Sequence, residues 1–267
     1  MKKYAILLTA LAVVLMVGCE GDDPGGGGGT LPQITGLSID WDASDGRDIV
    51  LTWTAEEDAE EYEVYFKTTS GGNWSAVETT SNTTFTHTNA TSAGYYSVRA
   101  KDGDNYSEEY ASAVNTMPIE ISTGYTIYDN YAAEDLPSGI FFGFEGAETG
   151  SAYSADFNQD IYAYEEGKGD TEVLLRSGDM SPAQGGNTTV FWSPGSTYGY
   201  PESNIGSYTS NLASGDIFIL QLEGDYFAKV FVDDVSAYTG SDNGTEVDLH
   251  YEIQDREGIQ LFTTKSN

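Results

Sequence analysis

Ile49-Val50-Leu51-Thr52-Trp53, followed nine residues after its tryptophan by Tyr62-Glu63-Val64-Tyr65-Phe66-Lys67, decides the fold. In the first run Ile49, Leu51 and Trp53 fall on one face of an extended chain, and the second run alternates in the same way. Alternation with a period of two over four to eight residues marks a half-buried strand. Outward from this pair, further short runs are separated by turn clusters: residues 34–39, 74–77, 83–87, 95–101 and 109–114. Together they make seven strands at the spacing of a β-sandwich. Beyond residue 18 no stretch repeats apolar residues at i, i+3, i+4 and i+7, and the 31 glycines point to turns rather than helices. The expected class is all-β.

Residues 33–116 resemble a fibronectin type III domain. The likeness is carried by Leu51-Thr52-Trp53, by Tyr62-Glu63-Val64 and by Tyr95-Tyr96-Ser97-Val98-Arg99-Ala100-Lys101-Asp102. It implies a sandwich whose core is plugged by Trp53, with Tyr95 or Tyr96 pinning a corner by hydrogen bonding to backbone. The proline-rich turn usual after the tryptophan is replaced by Thr54-Ala55-Glu56-Glu57-Asp58. Domains of this kind serve as spacers or protein-binding modules.

The N-terminus reads as an address. Lys2 and Lys3 precede an apolar stretch from Ala5 to Val17, too short for a comfortable membrane span of about 20 residues. Its end, Met16-Val17-Gly18-Cys19, resembles the lipobox of bacterial lipoproteins, with methionine in place of the usual leucine. The resemblance implies cleavage before Cys19, diacylglycerol on its sulfur and acylation of the new amino group. Cys19 is the only cysteine, so the chain can form no internal disulfide. Residues 1–18 are then a lipoprotein signal and 19–32 a lipidated tether. The five glycines from Gly25 to Gly29 give it a reach of roughly 20 Å. Glu20 after Cys19 favours the outer membrane or cell surface.

The 267 residues carry 11 Lys+Arg against 43 Asp+Glu, a net charge of −32. Loss of Lys2 and Lys3 with the leader leaves nine cations, for −34. Such a chain repels nucleic acid, which is excluded as a partner. Acid excess serves solubility or divalent cation binding. Asp40, Asp42 and Asp45 are the weak metal candidates, for calcium. Their spacing of 1, 3, 6 departs from the 1, 3, 5 of an EF-type loop. Solvated loops are the competing account, there and for the acids of residues 56–61.

Residues 117–267 read as a second β-rich, sandwich-like domain. Its strands are residues 139–144, 160–164, 171–175, 188–192, 216–222, 226–232 and 247–253. The run Asp216–Leu222 is nearly all apolar and is expected to be central and covered on both faces. Val247, Leu249, Tyr251 and Ile253 face inward, placing Asp248, His250 and Glu252 outside. Asp160-Ile161-Tyr162, the hairpin Gly215–Val232 and the closing strand faintly resemble the ligand domain of HmuY-type lipoproteins. That family is associated with haem held by two histidines. With only His87 and His250 in the chain, a bis-histidine site within this domain is ruled out. Between strands lies Phe191-Trp192-Ser193-Pro194-Gly195-Ser196-Thr197-Tyr198-Gly199-Tyr200-Pro201. Trp192, Tyr198 and Tyr200 are candidates for stacking on sugar faces, or for folding back over the sandwich edge.

No Gly-x-Ser-x-Gly elbow, P-loop or His-Glu-x-x-His is present, and no enzyme is expected. The function expected is that of a non-catalytic, lipid-anchored surface module that binds a glycan or other extracellular ligand. The alternatives are an envelope scaffold or a calcium-stiffened module. No cofactor is expected besides calcium.

Overall fold

The computed structural model describes residues 31–129, 131–132, 135–166, 172–183, 185–195, 199–240 and 244–264. The leader, Cys19, the tether as far as residue 30 and Tyr198 lie outside the described residues. Those described form strands and two single 3-10 turns, with no α-helix.

The first domain contains β1 (Ser38–Ile39), β2 (Ile49–Thr52), β3 (Glu61–Lys67), β4 (Ser75–Thr80), β5 (Thr84–His87), β6 (Tyr95–Asp102), β7 (Asn105–Tyr106) and β8 (Val114–Asn115). One sheet runs β1-β2-β5 and the other β4-β3-β6-β7, with β8 also pairing β6. Alternation delivers Ile49, Leu51 and Trp53 from one sheet and Tyr62, Val64, Tyr96, Val98 and Ala100 from the other into one core. Trp53 meets the edge of Tyr62 at 5.5 Å between ring centroids.

Two expectations are corrected here. Neither Tyr95 nor Tyr96 pins a corner through backbone: Tyr96 is fully buried with its hydroxyl 2.8 Å from His87 Nδ1. The tyrosine that holds backbone is Tyr62, whose hydroxyl accepts the Glu56 N–H at 2.9 Å. The seventh strand is broken into β7 and β8. Between them Ala111 N donates to Val98 O, while the buried hydroxyls of Ser97 and Ser107 satisfy neighbouring backbone in place of a ladder.

The second domain contains β9 (Ile119–Tyr128), β10 (Gly139–Phe141), β11 (Glu148–Gly150), β12 (Ile161–Glu165), β13 (Val173–Ser177), β14 (Val190–Pro194), β15 (Pro201–Gly206), β16 (Ile217–Gln221), β17 (Phe227–Ala237) and β18 (Thr245–Ile253). A six-stranded sheet, β15-β14-β16-β17-β18-β9, faces a four-stranded one, β11-β10-β12-β13. Their facing side chains form the larger core, which includes Val247, Leu249, Tyr251 and Ile253 as the alternation requires. β16 is central and covered on both faces, Phe218 and Leu220 entering this core and Ile219 the opposite side. Gly224 and Asp225 turn β16 into β17 with φ of 76° and 60°, a left-handed pair that glycine and aspartate tolerate.

The outward placing of Glu252 is overturned. Glu252 is buried, 3.8 Å from the wholly buried Lys229 Nζ. What covers them is the end of the chain. Lys229 Nζ donates to Thr263 O at 2.7 Å, and the Glu252 carboxylate accepts from the Thr263 N–H at 3.2 Å and from its hydroxyl.

Residues 254–264 thus run between the two domains. Ile259 pairs in parallel with Gly46 of the first domain, and Phe262 O accepts from Ala93 N at 2.8 Å. Ile259 and Leu261 are buried in the first domain's core, whereas Phe262 packs with Ile219, Phe227 and Trp192 on the second domain's outer sheet face. Adjacent residues of an extended chain point opposite ways, so Leu261 and Phe262 enter different cores. Each such buried side chain contributes about 1.5–3 kcal/mol. The division at residue 117 therefore leaves Ile259 and Leu261 packed with the first segment. Leu31, from the sequence-assigned tether, is buried in that same core.

Candidate functional site

The outer face of the β4-β3-β6-β7 sheet gathers the polar halves of β3 and β6. Register sets Glu61 opposite Lys101, Glu63 opposite Arg99, Tyr65 opposite Ser97 and Lys67 opposite Tyr95. The alternate residues of both strands fill the core, so these must point out. Trp74, just before β4, and Tyr110, between β7 and β8, close over them.

The rings form one connected group. Tyr110 stacks on Trp74 with centroids 5.5 Å apart, and meets Tyr65 edge-on at 4.9 Å. Lys67 Nζ stands 4.4 Å from the Trp74 centroid. The Arg99 guanidinium lies between Tyr106 and Tyr110, 5.0 and 5.1 Å from their centroids. Hydrogen bonds fix the cations: Arg99 Nε donates to Ser107 O at 2.8 Å and Lys67 Nζ to Ser70 O at 2.6 Å. Burial, then a hydrogen bond to Glu63, drive the Tyr65 phenol far above its ordinary pKa, so it remains a neutral donor. Glu61, 3.0 Å away, raises the pKa of Lys101 and keeps it charged.

Seven Lys and Arg residues are among those described, and three of them, Lys67, Arg99 and Lys101, lie on this one sheet face. Elsewhere Lys229 is buried and Arg176 lies over Tyr164 at 3.4 Å. Tryptophan, tyrosine and arginine are the residues that dominate binding energy in protein interfaces. In a chain of −32, the three cations set against Glu61 and Glu63 leave this face close to neutral, with less repulsion toward an acidic surface than the chain as a whole.

The residues singled out in sequence behave differently. Trp192 lies in β14, as the strand expected over 188–192 requires, and the strand runs on to Pro194; its ring is half-buried against Ile219, Phe227 and Phe262. Tyr200 is capped by the Arg47 guanidinium at 4.2 Å from its centroid. Both rings are engaged in packing, the alternative the sequence left open, and the segment is in part the hairpin of β14 and β15. Asp40, Asp42 and Asp45 do not converge. Asp40 accepts the Ala43 N–H at 3.2 Å, as an ordinary turn does, and no group of three or more metal-ligating side chains occurs among the described residues. His250 stacks on Phe231 at 4.5 Å and pairs with Asp233 at 2.8 Å. Sequence reading missed the sheet-face cluster. Its signal was the outward set of β3 and β6; the parts from Trp74 and Tyr110 carry none.

Comparison with solved structures finds the following likenesses. An Fn3-like protein from Clostridium thermocellum is 30% identical over 31% of this chain and 86% of its own, with a TM-score of 0.28. A structure described as FN3tt is 19% identical over 32% of this chain and 95% of its own, with a TM-score of 0.27. Titin kinase with its flanking domains aligns with 83% of this chain and 38% of its own, at 11% identity and a TM-score of 0.31. No protein-family model matches the sequence, and no curated protein matches it.

Proposed function

We propose that this chain, whose first domain is a fibronectin type III-like sandwich, is a non-catalytic interaction module held at a cell surface. The observation that carries the reading is the cluster of Trp74, Tyr110 and Tyr65 with Lys67 and Arg99 on one sheet face. Rings already stacked and cations already hydrogen-bonded lose little side-chain freedom on docking, so more of the contact energy appears as affinity. The partner is a protein surface that offers carboxylates to Lys67 and Arg99 and an apolar patch to the rings. The tether and acylated Cys19 keep the module within reach of a membrane; several acyl chains at about 0.8 kcal/mol per buried CH2 make that hold lasting. Glu20, standing where an aspartate would favour inner-membrane retention, supports outer-membrane or cell-surface placement.

Two experiments test this. From solubilised membranes of the native cells, the wild-type chain should bring down one stoichiometric protein, and Trp74→Ala should lose it while folding normally. A solitary monomer in both cases contradicts the reading. Palmitate should label the wild type and not Cys19→Ala; equal labelling removes the anchor.

A further inference from the structure

One end of the second domain holds a cavity of about 290 Å3, built where the β16–β17 turn faces the strand end after β10. Phe141, Phe142 and Phe144 line it from one side and Tyr226 from the other, with Phe144 edge-on to Tyr226 at 5.3 Å. Phe141 and Phe144 are 38% and 41% exposed, large apolar rings left open to solvent at the mouth. Large apolar rings left open beside a cavity offer a ligand apolar surface to bury.

Asp160 sits in the wall. It is only 2% exposed. Its Oδ2 accepts the Phe142 N–H and its Oδ1 the Asn187 Nδ2–H, each at 2.8 Å. A carboxylate accepts about four hydrogen bonds, so each oxygen keeps acceptor capacity. Among the described residues no cation pairs with it, and Glu223, whose charge acts on it, is also negative. A charge removed from water without an opposite charge is costly. Burial accordingly raises its pKa to about 6. Nothing cationic lines the cavity among the described residues.

We propose that this cavity binds a small organic ammonium ion carried on an apolar body. The ammonium would supply the charge that Asp160 lacks and donate to its free lone pairs, with Glu223 adding field at the entrance. Phe142, Phe144 and Tyr226 would take the apolar body and present ring faces to the cation. The site is separate from the sheet face of the first domain and does not depend on it.

The test uses the full chain in non-ionic detergent and three probes of one shape: phenethylammonium, 2-phenylethanol and 3-phenylpropionate. Titration followed by NMR should give saturable binding of the ammonium, about tenfold weaker binding of the alcohol, and none of the carboxylate. Phe144→Ala, at an exposed position, should weaken the ammonium severalfold without altering the fold. Asp160→Asn should bring the ammonium down to the level of the alcohol. Equal binding of ammonium and alcohol to the wild type would overturn the proposal, leaving an apolar pocket only. So would absence of ammonium binding, or binding unaffected by Phe144→Ala.

Discussion

The two domains use aromatic rings against opposite charges. In the first, Trp74, Tyr95, Tyr106 and Tyr110 lie under the cations of Lys67 and Arg99 on a flat sheet face. In the second, Phe142, Phe144 and Tyr226 surround the buried carboxylate of Asp160 in a cavity. The cores differ as well. The larger core is made of residues between 119 and 253, whereas the smaller one borrows Ile259 and Leu261 from the far end of the chain. Cations are scarce here, and where they lie decides what each domain can meet. The first presents positive charge outward on rings; the second buries Lys229 and leaves a negative pocket open.

The sharpest way to break this contrast is at the segment that both domains share. Glu252→Ala removes the carboxylate facing the buried Lys229 ammonium and two of the hydrogen bonds that hold Thr263, and should cost about 3–5 kcal/mol in chemical denaturation. Because Thr263 anchors the segment, amide exchange should rise in β2 and β6 as well as in β17 and β18. Leu261→Ala removes a side chain from the smaller core and should cost about 2–5 kcal/mol. Its increased exchange should be confined to residues 31–116, since the larger core is built without it. A loss centred on β16–β18 would show that the first domain does not depend on the borrowed residues.

Titration sharpens the same contrast, because the buried groups respond in opposite senses. Burial lowers the pKa of His87 below its ordinary 6.5, so beneath that value the unfolded chain takes a proton that the fold refuses. The first domain should lose stability as pH falls below 6.5. Asp160 is the reverse: from about 6 down to 3.8 the fold holds a proton that the unfolded chain releases. From this group alone the second domain should gain stability as pH falls through that window, by up to about 3 kcal/mol. Domain-resolved melts across pH 4–7 check both, with His87→Gln and Asp160→Asn each flattening its own domain's curve. The smallest effect is expected at Trp74→Ala, about 1 kcal/mol or less, since the ring packs on the surface. A cost of several kcal/mol there would make the sheet-face cluster a structural element rather than a docking face.

What was legible in the sequence was whatever one strand can say by itself. Ile49–Trp53 and Val247–Ile253 alternate cleanly, and their inward residues are those in the cores. β9 was hidden by Ser122-Thr123-Gly124, which resembles a turn but lies in an edge strand beside a register shift between Leu249 and Tyr251. Glu252 reads as outward on its own strand; only Lys229 on β17 and Thr263 at the chain's end give it a covered side. Trp192 suggested a sugar platform because the strand partners of β14 could not be seen from its proline- and glycine-rich surroundings. The sheet face was half legible: Tyr65, Lys67, Tyr95, Arg99 and Lys101 follow from pairing β3 with β6. Trp74 and Tyr110 come from irregular segments that no periodicity marks. The pocket around Asp160 needed both sheets in place.

The claim at the centre of this account is that the aromatic and cationic sheet face meets the partner. Photo-crosslinking in the native cells tests it most directly, with a benzophenone side chain introduced in turn at Trp74, at exposed Thr84 on the opposite sheet and at exposed Glu148 in the second domain. The account predicts one discrete protein adduct from position 74 and none from 84 or 148. An adduct from 84 or 148 in place of 74, or no adduct from any of the three, would contradict it.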